Sequence, residues 1–217
     1  MADKFVYNIT MKTTSMTSLA NLPARDRILL TAHDLFYRDG IRATGINRVI
    51  AESGVTKVTF YRHFPSKNDL IREFLEYRHQ RWISWFADAL RRHGGNLQAM
   101  TPTLREWFSN PGYRGCAFIN SVGELGGELP EVTDIARRHK SDMIGLVAAL
   151  IPSPEQRDLD AQALALAVDG AIVRSQIDPT PDAALLAFDR LLRALTACHT
   201  DGQTMREPSD MPTRAVK

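Results

Sequence analysis

The sequence predicts an all-α protein of about nine helices. Apolar residues recur at intervals of three and four positions in about nine separate segments, which is the spacing of one face of an α-helix. Glycine, proline and asparagine interrupt this pattern between the segments. No segment shows the alternation of apolar and polar residues that is typical of strands.

The first two predicted helices are joined by a short loop. The first covers residues 25–39 and ends at Gly40, a common residue at the C-terminal end of a helix. The second begins after Thr44 or Gly45 and ends at Gly54. A glycine adopts positive φ without steric cost, so Gly54 predicts a sharp turn before the next helix.

The third predicted helix is short, basic and aromatic. Thr56 is its expected N-cap residue, and the helix covers residues 57–64. Phe60 and Phe64 lie four residues apart and are expected to face the core. Pro65 ends the helix. Because the two phenylalanines face the core, the polar residues on the opposite side of the helix are left for solvent or a partner.

The fourth predicted helix, residues 67–92, is unusually long for a globular protein. At about 1.5 Å per residue it extends over about 35 to 40 Å, enough to connect two parts of the molecule. Its expected buried side consists of Leu70, Phe74, Tyr77, Arg78, Arg81, Trp82, Trp85, Phe86 and Leu90. Three further helices are predicted over residues 96–109, in a short segment ending at Leu125, and over residues 130–151.

The last two predicted helices cover residues 159–177 and 181–198, and both are rich in alanine and leucine around most of their circumference. Such helices need cover on more than one face, and few other elements are left to provide it. The pattern therefore predicts a homodimer built around these two helices. Residues 1–21 and 199–217 are expected to be flexible tails.

Composition limits the class of protein. No apolar run is long enough for a membrane helix, and residues 1–20 lack the apolar stretch of a signal peptide, so we expect a cytoplasmic protein. The two cysteines, Cys116 and Cys198, are far apart and lack the spacing of metal ligands. We therefore expect reduced thiols, no metal site and no cofactor.

Charge is distributed unevenly along the chain. Residues 1–81 contain 13 Lys and Arg against 8 Asp and Glu, whereas residues 82–217 contain 14 against 17. A basic first part is compatible with nucleic-acid binding, although the difference is small. The helix, glycine turn and short basic helix between Ile46 and Leu70 are a stronger indication, because this arrangement is typical of a helix-turn-helix.

The sequence between Thr44 and Leu70 resembles the DNA-binding domain of TetR-type transcriptional regulators. The similarity is specific, since a Gly-Val-Thr-Lys turn at residues 54–57 is followed by Thr-Phe-Tyr-Arg-His-Phe-Pro-Ser-Lys at residues 59–67. It covers residues of about 22 to 81 directly, and the remainder resembles the family in helix number and layout. The resemblance implies a DNA-binding domain over residues 22–68 and a helical ligand-binding and dimerisation domain over residues 69–198.

The resemblance also implies roles for individual side chains. Candidates for reading base edges or lining the groove are Lys57, Thr59 and His63, and candidates for phosphate contacts are Thr44, Thr56, Tyr61 and Lys67. Arg62 suits either role. Two positions depart from the family pattern: Gly45 stands where a second Ser or Thr is common, and Val58 stands where a small residue is common. Val58 has two open interpretations, contact with a thymine methyl group or packing against the protein.

Control by a small molecule is the third implication of the resemblance. In this family the effector binds among the helices that correspond to residues 67–151. The candidate pocket residues there are Trp82, Trp85, Phe86, Trp107, Phe108, Phe118, Asn120, His139, Met143 and Val147. Their aromatic character suits a mostly apolar effector, but the same residues are also what an ordinary helical core requires.

The function predicted from the sequence is a repressor that binds a palindromic operator as a homodimer and is released by an effector. An activator, or an all-helical ligand-binding protein that has lost DNA recognition, is the alternative. An enzyme is disfavoured, because nothing in the sequence brings Cys116, His139 and an acid together.

Overall fold

The computed structural model describes residues 21–204, with side chains described up to residue 197. Within this part of the chain all regular structure is helical, and the predicted fold class is confirmed. The helices are α1 (Ala24–Asp39), α2 (Ile46–Ser53), α3 (Lys57–His63), α4 (Lys67–Arg92), α5 (Met100–Phe108), α6 (Ala117–Leu125), α7 (Pro130–Ala148), α8 (Arg157–Ile177) and α9 (Asp182–Thr204). Of the tails predicted for residues 1–21 and 199–217, residues 1–20 and 205–217 lie outside the described residues, whereas residues 199–204 belong to α9.

Helices α1, α2 and α3 pack against one another, and α1 also packs against α4. Their shared core is formed by side chains that are almost completely buried: Ile28, Leu35, Ile41, Val49, Phe60, Phe64 and Leu70. The predicted inward orientation of the two phenylalanines of α3 is confirmed. Burial of each such side chain stabilises the fold by about 1.5 to 3 kcal/mol relative to its exposure.

Helix α4 runs from this three-helix unit into the rest of the protein, where it contacts α5, α6 and α7. Ser66 caps its beginning, because its hydroxyl accepts a hydrogen bond from the amide of Asp69. Helix α7 packs against α6 and α8, and α9 packs against α8 and α5. A single long helix thus connects the α1–α3 unit to the helices that follow.

Three helix boundaries differ from the prediction by three residues or more. The fifth helix begins with a 3₁₀ turn at Leu97–Ala99, because the side chain of Asn96 accepts a hydrogen bond from the amide of Ala99. Helix α7 ends at Ala148 rather than residue 151, since Pro152 disfavours helical backbone just before it. Helix α9 continues to Thr204, past the predicted end at residue 198.

Candidate functional site

The local sequence orients α3 as the resemblance requires. Gly54 adopts the left-handed conformation with φ of 64° and makes the turn after α2. Thr56 caps α3, because its hydroxyl oxygen accepts a hydrogen bond of 3.1 Å from the amide of Thr59. Phe60 and Phe64 anchor the inner side of the helix, with exposed fractions of 0% and 1%. The remaining side chains of α3 therefore point away from the core.

The outer side of α3 carries a compact exposed surface. Lys57, Val58, Tyr61 and Arg62 are exposed, whereas Thr59 and His63 are half-buried at its margin. Val58 has an exposed fraction of 78%, the largest among the exposed large hydrophobic side chains of the described residues. Of the two interpretations of Val58, packing against the protein is wrong in this structure.

Thr44 and Lys67 instead hold the loop between α1 and α2. Thr44 is fully buried, and its hydroxyl donates a hydrogen bond of 2.7 Å to the carbonyl of Gly40. The phosphate contact predicted for Thr44 is therefore wrong in this structure, because a buried hydroxyl that already donates a hydrogen bond inside the protein cannot reach DNA. The ammonium group of Lys67 donates a hydrogen bond of 2.6 Å to the carbonyl of Ile41, and burial lowers the pKa of Lys67.

Glu124, at the end of α6, binds the same loop and was not found from the sequence. Its two carboxylate oxygens accept hydrogen bonds from the backbone amides of Ile41, at 3.2 Å, and Arg42, at 2.7 Å. The side chain of Arg42 donates to the Glu124 carbonyl and forms an ion pair with Glu128. No local pattern signals a contact between positions more than 80 residues apart. Helix α6 is therefore tied directly to the α1–α2 loop.

Seven of the ten candidate pocket residues, the Trp, Phe and His side chains, form one cluster of ring contacts. Nine of the ten are buried, and the half-buried exception is Asn120. Trp82 stacks on Phe86 with ring centroids 4.6 Å apart, and Phe118 stacks on His139 at 3.7 Å. His139 lies with its Nδ1 3.2 Å from Nδ1 of His79, and burial lowers its pKa to about 2. In this structure the aromatic side chains pack against one another in the region where the effector was expected to bind.

A cavity of about 310 Å³ lies elsewhere, between α1, α4 and α6. Its walls include Tyr37, Phe74 and Glu124, and Asn120 is the only predicted pocket residue that lines it. The amide nitrogen of Asn120 donates a hydrogen bond of 3.0 Å to the carbonyl of Arg114, so this side chain also fixes the loop before α6.

Helices α8 and α9 display apolar side chains to solvent. Apart from two residues of α3, every exposed large hydrophobic side chain in the described part of the chain lies on these two helices: Leu159, Leu166, Val173, Ile177, Leu186 and Leu191. Leu159, Leu166 and Val173 are spaced seven residues apart, so they share one face of α8. We call these six residues the apolar surface of α8 and α9.

Comparison with known proteins agrees with this geometry. Residues 28–74 match the sequence model of bacterial regulatory proteins of the tetR family. The crystal structure of SCO4454, a TetR-family transcriptional regulator from Streptomyces coelicolor, superimposes with a TM-score of 0.69 at 30% sequence identity, covering 79% of this chain and 95% of that one. The chain belongs to the TetR family of transcriptional regulators.

Other TetR-type proteins are similar over different lengths. The transcriptional repressor BepR of Brucella suis is 24% identical over 203 residues, or 87% of this chain and 94% of BepR. The transcriptional activator FasR of Mycolicibacterium smegmatis is 28% identical over 95 residues, or 42% of this chain and 43% of FasR. TetR-family regulators are DNA-binding proteins without enzymatic activity, so the enzyme alternative is set aside.

Between residues 21 and 204, no helix is both long and apolar enough to cross a membrane. Within the same described segment, no three His, Cys, Asp or Glu side chains are grouped so that they could hold a metal ion.

Proposed function

We propose that this regulator is a repressor that binds a pseudo-palindromic operator as a homodimer and is released by a small-molecule effector. In this proposal residues 22–68 read DNA, and residues 69–198 bind the effector and the second subunit. The observation that carries it is the exposed surface of α3, whose side chains are held outward by two buried phenylalanines.

We assign the reading of base edges to Lys57, Val58 and Arg62, with Thr59 and His63 at the edge of the contact. A valine that is 78% exposed on a recognition helix has a direct use, because its methyl groups complement the methyl group of thymine in the major groove. Lysine and arginine side chains in the same surface suit guanine or phosphate oxygens.

Phosphate contacts in the proposal come from Thr56, Tyr61, Lys67 and the start of α2. Lys67 keeps two N–H donors besides the one used by Ile41, so it can hold the loop and a phosphate together. Gly45 offers no capping side chain at the start of α2, which leaves the first amides of that helix available to an anion.

The apolar surface of α8 and α9 supports the homodimer. Five of its six side chains have exposed fractions between 56% and 74%. Exposed apolar side chains grouped on two packed helices are typical of an interface in soluble proteins, and one copy of the surface can cover another about a two-fold axis. Two DNA-binding domains related by one two-fold axis require an operator with two matching half-sites.

Effector control is supported by the contacts of α6. Glu124 connects α6 to the loop before α2, and α6 also borders the aromatic cluster through Phe118. A ligand that displaces α6 or α4 therefore changes the position of the DNA-binding helices α1–α3. The difference between the ligand's affinities for the DNA-bound and released arrangements sets the size of the response. Repression is proposed because BepR, which is similar over nearly its full length, is a repressor.

The test starts by selecting genomic DNA fragments with the purified protein and measuring the affinity for a selected operator. Lys57→Ala is expected to weaken operator binding about tenfold and to reduce the salt dependence by about one released ion. Arg137→Ala is the matched control, because it removes an equally basic side chain, 71% exposed, from α7.

Three outcomes contradict parts of the proposal. If both variants bind equally well, α3 is not the reader. If the selected fragments lack two-fold symmetry, the operator is not pseudo-palindromic. If operator binding raises transcription of the adjacent gene in a reporter assay, the protein is an activator.

A further inference from the structure

Arg78 of α4 is a buried guanidinium without a carboxylate in direct contact. It is 5% exposed, its Nη1 lies 3.3 Å from Nε2 of His33, and its guanidinium carbon lies 3.9 Å from the ring centroid of Tyr37. On its other side the imidazole of His33 meets an acid, since Nδ1 of His33 is 3.0 Å from Oδ1 of Asp34. Nη2 of Arg78 is buried and has no hydrogen-bond partner. An arginine stays charged in proteins, so this arrangement is costly unless an anion completes it.

Three more unpaired polar groups lie on the same helix and on the neighbouring one. Trp82 follows Arg78 by one turn of α4, while Thr103 and Trp107 are one turn apart on α5. Nε1 of both tryptophans and the hydroxyl of Thr103 are buried without a partner. The ring centroids of Trp82 and Trp107 are 5.2 Å apart, so these two side chains are in contact.

The neighbouring Trp85 shows that this is not a general property of tryptophan in the bundle. Its indole N–H donates a hydrogen bond of 3.3 Å to Glu106. Buried polar groups in folded proteins are nearly always paired, and each exception requires an explanation. Arg78 and Trp82 lie one turn apart on α4 and Trp107 is in ring contact with Trp82, so we infer one shared partner for these three exceptions.

The chemistry of that partner follows from the groups themselves. Guanidinium and indole N–H groups only donate hydrogen bonds. The partner must therefore supply acceptor oxygens, and a buried guanidinium favours an anion over a neutral acceptor. The surrounding rings of Phe86, Phe118 and His139 require a body that is aromatic or apolar.

We propose that Arg78, with Trp82 and Trp107, binds the carboxylate of an aromatic or aliphatic monocarboxylic acid, and that such an acid is the effector. This inference rests on the proposed effector-controlled repression and names the ligand class. Because the rings pack against one another, the acid enters by displacing them. The same guanidinium contacts His33 and Tyr37 of α1. A carboxylate that binds its free N–H therefore changes these contacts with α1, the helix against which α2 and α3 pack.

The test compares acids with their neutral amides on the full-length protein. The probes are 1-naphthaleneacetate against 1-naphthaleneacetamide, and benzoate against benzamide, with binding measured by calorimetry. Each acid is expected to bind about tenfold or more tightly than its amide, because only the acid carries the charge that the guanidinium favours. Arg78→Gln is expected to remove this preference, so that acid and amide bind with similar affinity.

Tryptophan variants give a second measurement. Trp82→Phe and Trp107→Phe remove an unpaired N–H while keeping an aromatic ring, and each is expected to weaken acid binding about threefold to tenfold. Trp85→Phe is the matched comparison and is expected to weaken acid binding less than either of them, because its N–H is already paired with Glu106. If Arg78→Gln does not fold, the comparison of acids with amides on the wild-type protein and the tryptophan variants decide the question.

The outcomes separate this inference from the proposed function. Equal binding of acid and amide, or no binding of either acid at about 10 mM, overturns the carboxylate site. Operator release by a neutral compound, with no preference for acids, leaves effector control standing and overturns the inference. Acid binding that depends on Arg78 but leaves operator affinity unchanged supports the carboxylate site and contradicts release by this class of ligand.

Discussion

The contact between Glu124 and the α1–α2 loop makes a quantitative prediction. Glu124→Gln keeps the size of the side chain but replaces one acceptor oxygen with an NH₂ group that must face a backbone N–H. Hydrogen bonds from backbone amides to a charged acceptor contribute about 1.5 to 3 kcal/mol each, and partial exposure of Glu124 reduces this value. We expect the substitution to lower the free energy of unfolding by about 2 kcal/mol.

Glu128→Gln is the matched control. Glu128 lies four residues after Glu124, its side chain is 64% exposed, and it forms an ion pair with the side chain of Arg42. An exposed ion pair contributes about 0 to 1 kcal/mol, so the control is expected to change stability by less than half as much.

Two measurements check this prediction. Urea unfolding at pH 7 and equal protein concentration gives the difference in free energy between the variants. Hydrogen exchange gives the local effect, because the amides of Ile41 and Arg42 should exchange faster in Glu124→Gln and unchanged in Glu128→Gln. Equal destabilisation by the two substitutions, with exchange at these amides unaltered, refutes the role assigned to Glu124.

Three other predictions follow from single features. Burial lowers the pKa of His33 to about 4 and that of His139 to about 2, so below about pH 6.5 the unfolded chain binds protons that the folded protein does not. The free energy of unfolding should therefore be highest above that pH and about 3 kcal/mol lower at pH 5.5 than at pH 7.5. A decrease of less than about 1 kcal/mol in urea unfolding contradicts this prediction. Gly45→Ser should stabilise the protein by about 0.5 to 1 kcal/mol in thermal unfolding, because serine is a better N-cap residue than glycine. The backbone of Gly45 has φ of −78° and ψ of 151°, which serine adopts without strain, and an added Cβ meets nothing within 4 Å. Destabilisation would show that the position is not a free N-cap. Leu166→Arg, at an exposed position on α8, should yield a folded monomer in sedimentation velocity at about micromolar concentration, and an unchanged dimer argues against this surface as the interface.

Much of the fold follows from local patterns in the sequence. Gly54 and Thr56 mark the turn and the cap of α3 because backbone conformation and capping depend on the residue itself and its near neighbours. The four-residue spacing of Phe60 and Phe64 likewise defines the inner side of that helix, and both are buried. Helix ends were less well predicted, since capping by Asn96 and the continuation of α9 to Thr204 depend on weaker preferences.

The candidate ligand region shows where local patterns stop being informative. Aromatic and apolar residues at helical spacing predict burial, and Trp82, Trp107 and Met143 are buried. The same spacing does not say which indole N–H is paired, so Trp85 and Trp82 look alike in sequence and differ in the structure. Hydrogen-bond pairing depends on which helices come together, and that is a property of the tertiary structure.

The sequence by itself determined that the chain is helical, that α3 has one inner and one outer side, and that α8 and α9 have more apolar surface than one chain covers. Each of these depends on residue type and periodicity. Only the tertiary structure decided that Thr44 is buried, that Glu124 holds the α1–α2 loop and that Arg78 lacks a direct carboxylate partner. Each of these depends on which helices come together in space, and the local sequence around each residue does not encode that.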